Sequence, residues 1–175
     1  MVRIAPTIGS PFEETYAEGI SGNGLSIVGH GYSSAAGTRP WRWTEETGME
    51  DLGRPSGATS GSLALTNFDG RVAVGDMSFP TSQNVPYLWN ENTGYMPLLD
   101  YFAANGVVFP PGYNRFTVAG ISDDGLTFAG GCSNLQQSLP LRGWIVTVPT
   151  PGSACIPLCA LAYTRRSRSS SAIHS

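Results

Sequence analysis

The chain has 175 residues; Gly and Pro supply one fifth of them, only 13% are charged, and there is no Lys. That composition excludes a helical bundle or coiled coil, which needs abundant Ala, Glu and Lys. The net charge of −3 excludes a nucleic-acid binder, and 41% hydrophobic with 10% aromatic residues excludes a disordered chain. A turn-rich, low-charge, all-β chain is what remains.

Residues 1–16 form an irregular lead-in. Met1–Ser10 carries one Arg and no apolar run of the about 7–15 residues that a secretory leader needs. The expectation is that the chain is the C-terminal part of a longer exported protein, or is never exported.

Three self-similar segments follow, at residues 17–61, 62–117 and 118–148. Their best-matching parts are Glu18-Gly-Ile-Ser-Gly-Asn-Gly-Leu-Ser-Ile-Val-Gly29, Ala64-Leu-Thr-Asn-Phe-Asp-Gly-Arg-Val-Ala-Val-Gly75 and Ala119-Gly-Ile-Ser-Asp-Asp-Gly-Leu-Thr-Phe-Ala-Gly130. Each holds an Asn-Gly or Asp-Gly pair, at Gly24, Gly70 and Gly125, and a second Gly five residues later, at Gly29, Gly75 and Gly130. A Trp follows each second Gly by 14 residues, at Trp43, Trp89 and Trp144. Asn-Gly and Asp-Gly between apolar runs predict tight type I′ hairpins. The β-formers after them predict a short strand ending at the second Gly.

A polar loop then leads into an aromatic strand, Pro40–Trp43, Pro86–Trp89 or Arg142–Ile145. Alternation places Trp41 and Trp43 on one face and Arg42 on the other. Glu46-Thr47-Gly48 and Asn92-Thr93-Gly94 are further turns, leading into short strands Met49–Leu52 and Tyr95–Leu99. One repeat is thus three or four short antiparallel strands. Such a sheet cannot bury its own face, so the repeats stack, with each Trp as a core plug. The predicted fold is all-β: tandem short antiparallel sheets, β-propeller-like and a partial propeller, with an apolar and Arg-containing C-terminal tail.

These residues resemble the HAF family of extracellular repeats. Ile121-Ser122-Asp123-Asp124-Gly125 matches the start of that family's pattern, and Gly48-Met49-Glu50-Asp51-Leu52-Gly53 matches its end. Pro40-Trp41-Arg42 and Pro86-Tyr87-Leu88 stand in place of the family's His-Ala-Phe-like tripeptide. Leu99–Gly106 with Pro111-Gly112-Tyr113 looks like the spacer before its last repeat. The resemblance covers about residues 17–148. It implies secretion and a propeller-like fold, and it carries no catalytic residue.

Residues 149–175 form the tail. Val148-Pro149-Thr150-Pro151-Gly152 opens it, an apolar run through Tyr163 follows, and Arg165, Arg166 and Arg168 close it. Residues 1–149 carry a charge of −6 and residues 150–175 carry +3. This order resembles the PEP-CTERM sorting signal, in its Val-Pro-x-Pro-Gly variant. The resemblance implies an exosortase-type membrane protease as partner, transient membrane contact through the apolar run, and Arg side chains on the cytoplasmic side.

Catalytic chemistry is thin. His30 and His174 are the only histidines; the first reads as a loop residue beside Gly29 and Gly31, and the second lies in the Ser-rich end. Cys132, Cys155 and Cys159 lack the spacing of a zinc site. Asp69, Asp123 and Asp124 recur at turns, where turn geometry accounts for them without calcium. Glu45-Glu46 with Glu50-Asp51 is the nearest thing to a carboxylate pair for sugar hydrolysis. The reading is a non-catalytic exported bacterial repeat protein, extracellular or at the cell surface, with no cofactor and no metal. It would be surface-anchored or released into the matrix and would bind polysaccharide or protein. The alternatives are a polysaccharide-active propeller enzyme, active through Glu45, Glu46 or Asp51, and a gene fragment without its own function.

Overall fold

The computed structural model describes residues 10–80, 82–134, 139–149 and 159–161. They form three four-stranded antiparallel sheets. The first contains β1 (Glu14–Ile20), β2 (Ser26–Ser33), β3 (Gly37–Thr44) and β4 (Gly48–Asp51). The second contains β5 (Ser60–Thr66), β6 (Val72–Phe79), β7 (Ser82–Asn90) and β8 (Gly94–Pro97). A helix, α1 (Leu98–Ala104), precedes the third sheet, β9 (Arg115–Ile121), β10 (Thr127–Asn134), β11 (Leu139–Thr147) and β12 (Cys159–Leu161). Within each sheet the strands lie in chain order. The all-β, propeller-type expectation is met.

The repeat turns are built differently from the type I′ expectation. In each, the turn Gly donates its N–H three residues back: Gly24 to Ser21 O (2.8 Å), Gly70 to Asn67 O (3.3 Å) and Gly125 to Ser122 O (2.9 Å). A second bond closes a wider loop, from Ser21 N–H to Ser26 O, Asn67 N–H to Val72 O and Ser122 N–H to Thr127 O. The loops therefore hold four residues rather than two, and the Gly follows the turn at φ 73°, 74° and 72°. The carbonyl or carboxylate oxygens of Asn23, Asp69 and Asp124 accept the N–H two residues on, from Leu25, Arg71 and Leu126. That local bond, rather than positive φ at both central positions, is why Asn or Asp precedes the Gly.

The second glycine does not end its strand. Gly29, Gly75 and Gly130 lie inside eight-residue strands β2, β6 and β10. A Cβ there would sit 1.9 Å from Tyr16 O, 2.0 Å from Ser62 O and 1.9 Å from Thr117 O. The neighbouring strand bulges at the matching place in all three sheets, at Glu18, Ala64 and Ala119. Glycine is required by that close backbone approach, not by chain reversal.

The pairing register also corrects the Trp alignment. Gly29 faces Trp41, Gly75 faces Tyr87 and Gly130 faces Trp144. Trp144 is thus the counterpart of Trp41 and Tyr87, and the counterpart of Trp43 and Trp89 is Val146. The third repeat has two more residues between Gly130 and its facing aromatic than the first two have, so the common spacing of 14 is a coincidence of that longer hairpin.

The sheets pack face to face in chain order. Val28 of the first sheet lies with Leu63, Ala73 and Trp89 of the second. Val74 and Leu88 of the second lie with Phe128, Trp144 and Val146 of the third. Helix α1 seals this junction. Leu98 and Phe102 are fully buried there, with Phe102 edge-on to Phe128 at 5.2 Å and to Trp144 at 5.9 Å. Leu99, expected at the end of a strand, belongs to this helix; β8 stops at Pro97.

In sheets one and two the fourth strand follows the third after a turn ending in Gly48 or Gly94, at φ 69° and 73°. In the third sheet the fourth strand comes from the tail. β12 pairs with β11, Val146 to Cys159, Ile145 to Ala160 and Trp144 to Leu161. Cys159–Leu161 lies within the run read above as membrane-entering.

Candidate functional site

A cleft of about 490 Å³ lies at the turn end of the first two sheets. Four turns converge on it. The β1–β2 turn brings Asn23 to Ser26, the β3–β4 turn brings Thr44 to Thr47, the β5–β6 turn brings Asp69 and Arg71, and the β7–β8 turn brings Glu91. Arg42 and Trp43 of β3 complete the lining.

Arg42 organises the cleft. Its side chain is only 10% exposed. Its Nε donates to Ser26 Oγ at 3.2 Å and its Nη1 to Glu91 Oε1 at 3.0 Å. The guanidinium carbon lies 5.6 Å from the Trp89 ring centroid, within cation–π range. Glu91 takes a second cation, Arg71, at 3.3 Å, and Arg71 also lies 3.8 Å from Asp69. The wall is a chain of alternating charge, with a donor fork beside carboxylate acceptors. Such a wall suits a ligand rich in hydroxyl or amide groups.

The sequence singled out Glu45 and Glu46, and both line this cleft. Asp51 does not; it is paired with Arg39 at 2.8 Å. Arg42, Asp69, Arg71 and Glu91 were missed as a group, because they come from two repeats. The available signal was that turns at matching places in stacked repeats fall side by side.

Among the repeat residues, Gly70 and Gly125 also serve the junctions. A Cβ on Gly70 would meet Ser26 Cβ at 2.3 Å, and one on Gly125 would meet the Asn67 side chain at 3.4 Å. Gly24 has open space at that point. Trp89 and Trp144 are buried, and Trp43 is half-buried at the cleft. Of the tail motif, Val148 is 2% exposed and its N–H bonds to Leu126 O at 2.8 Å, while Pro149 is half-buried. Pro151, Gly152, Arg165, Arg166 and Arg168 lie outside the described residues, as do Cys155 and His174.

His30 is not a loop residue. It lies within β2, with Nδ1 2.5 Å from Glu18 Oε1 and its ring stacked on Tyr16 at 4.9 Å between centroids. A second cavity, of about 420 Å³, is lined by Asp76, Asn84, Arg115, Phe116 and Thr117. Burial, and secondarily the charge of Glu18, push the Asp76 carboxyl above its ordinary value. Among the described residues no three His, Cys, Asp or Glu side chains are grouped to hold a metal ion, and no helix is long and apolar enough to cross a membrane.

No family model and no curated protein matches the sequence. Two solved structures share its fold. TolB from Acinetobacter baumannii is 13% identical with a TM-score of 0.53, over 86% of this chain and 33% of that one. A TolB-type protein from Agrobacterium tumefaciens is 13% identical with a TM-score of 0.51, over 78% of this chain and 47% of that one. The fold is therefore that of a β-propeller, and the chain spans from a third to about half the length of the chains it matches.

Proposed function

We propose that this propeller-type chain is a non-catalytic exported repeat protein that binds an extracellular polysaccharide or protein through the cleft between its first two sheets. The observation that carries the reading is the Arg42–Glu91–Arg71–Asp69 chain of charges. Two of the four cleft carboxylates, Asp69 and Glu91, are engaged by arginines, and Arg42 ties the first sheet to Glu91 of the second. Glycoside hydrolysis needs two carboxyl groups flanking the scissile bond, and the two left unengaged by arginine, Glu45 and Glu46, are exposed neighbours in one turn. Recognition needs only fixed donors and acceptors beside an apolar surface, which this wall supplies.

The test is calorimetric titration of the intact chain against a panel of soluble polysaccharides, with Arg71→Ala alongside. Binding that Arg71→Ala weakens, with no new reducing ends released, supports the reading. Reducing ends that disappear in Glu45→Gln or Glu46→Gln would establish the enzyme instead.

Export and sorting rest on the tail motif and its resemblance to an exosortase substrate. They are tested by fractionating cells that carry the chain with and without residues 149–175. Unchanged distribution between membrane, surface and medium would overturn that part.

A further inference from the structure

We propose that Asn23 is a self-modification site, an asparagine that the backbone nitrogen of Gly24 converts to aspartate with loss of ammonia. The chain holds two Asn-Gly pairs, Asn23-Gly24 in the β1–β2 turn and Asn105-Gly106 at the end of α1. A glycine has no side chain to shield its own nitrogen, so these are the pairs open to such attack. In both, the glycine N–H is held by one backbone carbonyl, Gly24 to Ser21 O at 2.8 Å and Gly106 to Ala103 O at 3.0 Å. Both asparagines are half-buried. The nucleophiles are alike; the side-chain amides are not.

The Asn23 amide is held by its oxygen alone. Oδ1 accepts the Ser21 hydroxyl at 2.7 Å and the Leu25 N–H at 2.9 Å. A backbone N–H can only donate, so the atom facing Leu25 is the oxygen. Two donors on that oxygen polarise the amide carbon and stabilise the negative charge that develops when it is attacked. Nδ2, the leaving group, has no hydrogen-bond partner among the described residues. Asn105 is held the opposite way. Its Nδ2 donates to Tyr101 O at 2.8 Å, and a carboxylate in its place would lose that bond and face the carbonyl oxygen.

The fold already contains the seat for the product. The matching residues of the other two turns are Asp69 and Asp124, and each accepts the N–H two residues on, as Asn23 does. Asp124 also takes the hydroxyl of Ser122, the counterpart of Ser21. Those bonds hold its carboxyl below its ordinary value, so this turn favours negative charge on that oxygen. An aspartate at position 23 therefore keeps every bond that the Asn23 side chain makes. It also adds a carboxylate to the cleft beside Glu45, Glu46, Asp69 and Glu91, whatever the cleft binds.

The step needs only water. Gly24 N gives up its proton and bonds to Asn23 Cγ, the Cγ–Nδ2 bond breaks, and ammonia leaves behind a five-membered imide. Water opens the ring at Cγ, which becomes the carboxyl as the nitrogen regains its proton. Opening at the other carbonyl gives the β-linked isomer of the same mass.

Incubation of the intact chain in mildly alkaline buffer, followed by peptide mapping with mass spectrometry, tests this. In the folded chain, conversion at Asn23 should outpace that at Asn105 by about tenfold or more, the work of the donors on Oδ1. In concentrated urea both react as plain Asn-Gly pairs and the two rates should converge. Asn23→Asp should fold as the wild type does by far-UV circular dichroism. Asn105 keeping pace with Asn23 in the folded chain, an Asn23 that converts in urea but not when folded, or an Asn23→Asp chain that fails to fold would each overturn the proposal.

Discussion

Arg42 of the first sheet reaches Glu91 of the second at 3.0 Å, and its counterpart in the second sheet is a leucine, Leu88. One position in the repeat thus joins neighbouring sheets by charge at one junction and by apolar packing at the next.

Replacing Arg42 separates these two contributions. Arg42→Ala removes the bond to Glu91, the bond to Ser26 and the contact with Trp89. The expected loss is about 2–3 kcal/mol, the scale of a hydrogen-bonded charge. Arg42→Leu keeps apolar bulk where the second sheet also uses Leu, and should lose less than half as much. Urea denaturation measures both. An Arg42→Ala within experimental error of wild type would show that the pair does not hold the junction.

The mid-strand glycines should be far less replaceable than the turn glycines with open space, Gly24, Gly48 and Gly94. Gly29→Ala, Gly75→Ala and Gly130→Ala each force a methyl to within about 2 Å of a backbone carbonyl, and should cost at least about 3 kcal/mol, the top of the overpacking range. Gly48→Ala meets no atom and should cost about 1 kcal/mol, the penalty for a side chain at its φ of 69°. Equal costs at the two kinds of site would contradict the strand register.

The four tryptophans should divide unequally. Trp144→Ala opens the core beside Phe102 and Phe109 and should lose about 3–5 kcal/mol. Trp43→Phe, at the cleft, should change stability by less than about 1 kcal/mol. It should also abolish most of the acrylamide-quenchable fluorescence, since Trp41, Trp89 and Trp144 are buried. Quenching that persists after Trp43→Phe would place another indole in solvent.

Asp76 gives the stability a pH dependence of known sign. Burial first, and Glu18 second, raise its pKa in the folded chain above the ordinary 3.8. Between that value and the raised one, the folded state binds more protons than the unfolded state, so this group's contribution falls as pH rises through the window. Asp76→Asn cannot ionise. Its melting temperature should exceed that of the wild type near neutral pH, and the gap should close as pH falls to about 3. A gap of constant size across that range would remove the carboxylate as its cause.

The turns were legible because their chemistry is local. An Asn or Asp side chain bonds the N–H two residues on, and a Gly follows, so the motif survives in isolation from the fold. The number of loop residues was not legible, because the closing bond from Ser21 to Ser26 involves residues that also read as strand. Gly29, Gly75 and Gly130 read as strand ends because a glycine alone does not reveal a carbonyl approaching from the next strand. Trp144 was placed at the wrong repeat position because counting residues cannot separate a longer hairpin from a conserved spacing; pairing can. The cleft stayed hidden for a related reason. Arg42 and Glu91 are 49 positions apart and meet only once two sheets are stacked.

The outermost strand of the third sheet arrives late. Its partner is complete at Thr147, yet Cys159 must emerge before the two can pair. During synthesis the row of N–H and C=O groups along Trp144–Val146 therefore waits, available to any passing extended chain. A backbone cut anywhere between Val148 and Cys159 would leave that strand held through its backbone pairing with Trp144–Val146. It would then be an exchangeable peptide rather than part of the same molecule.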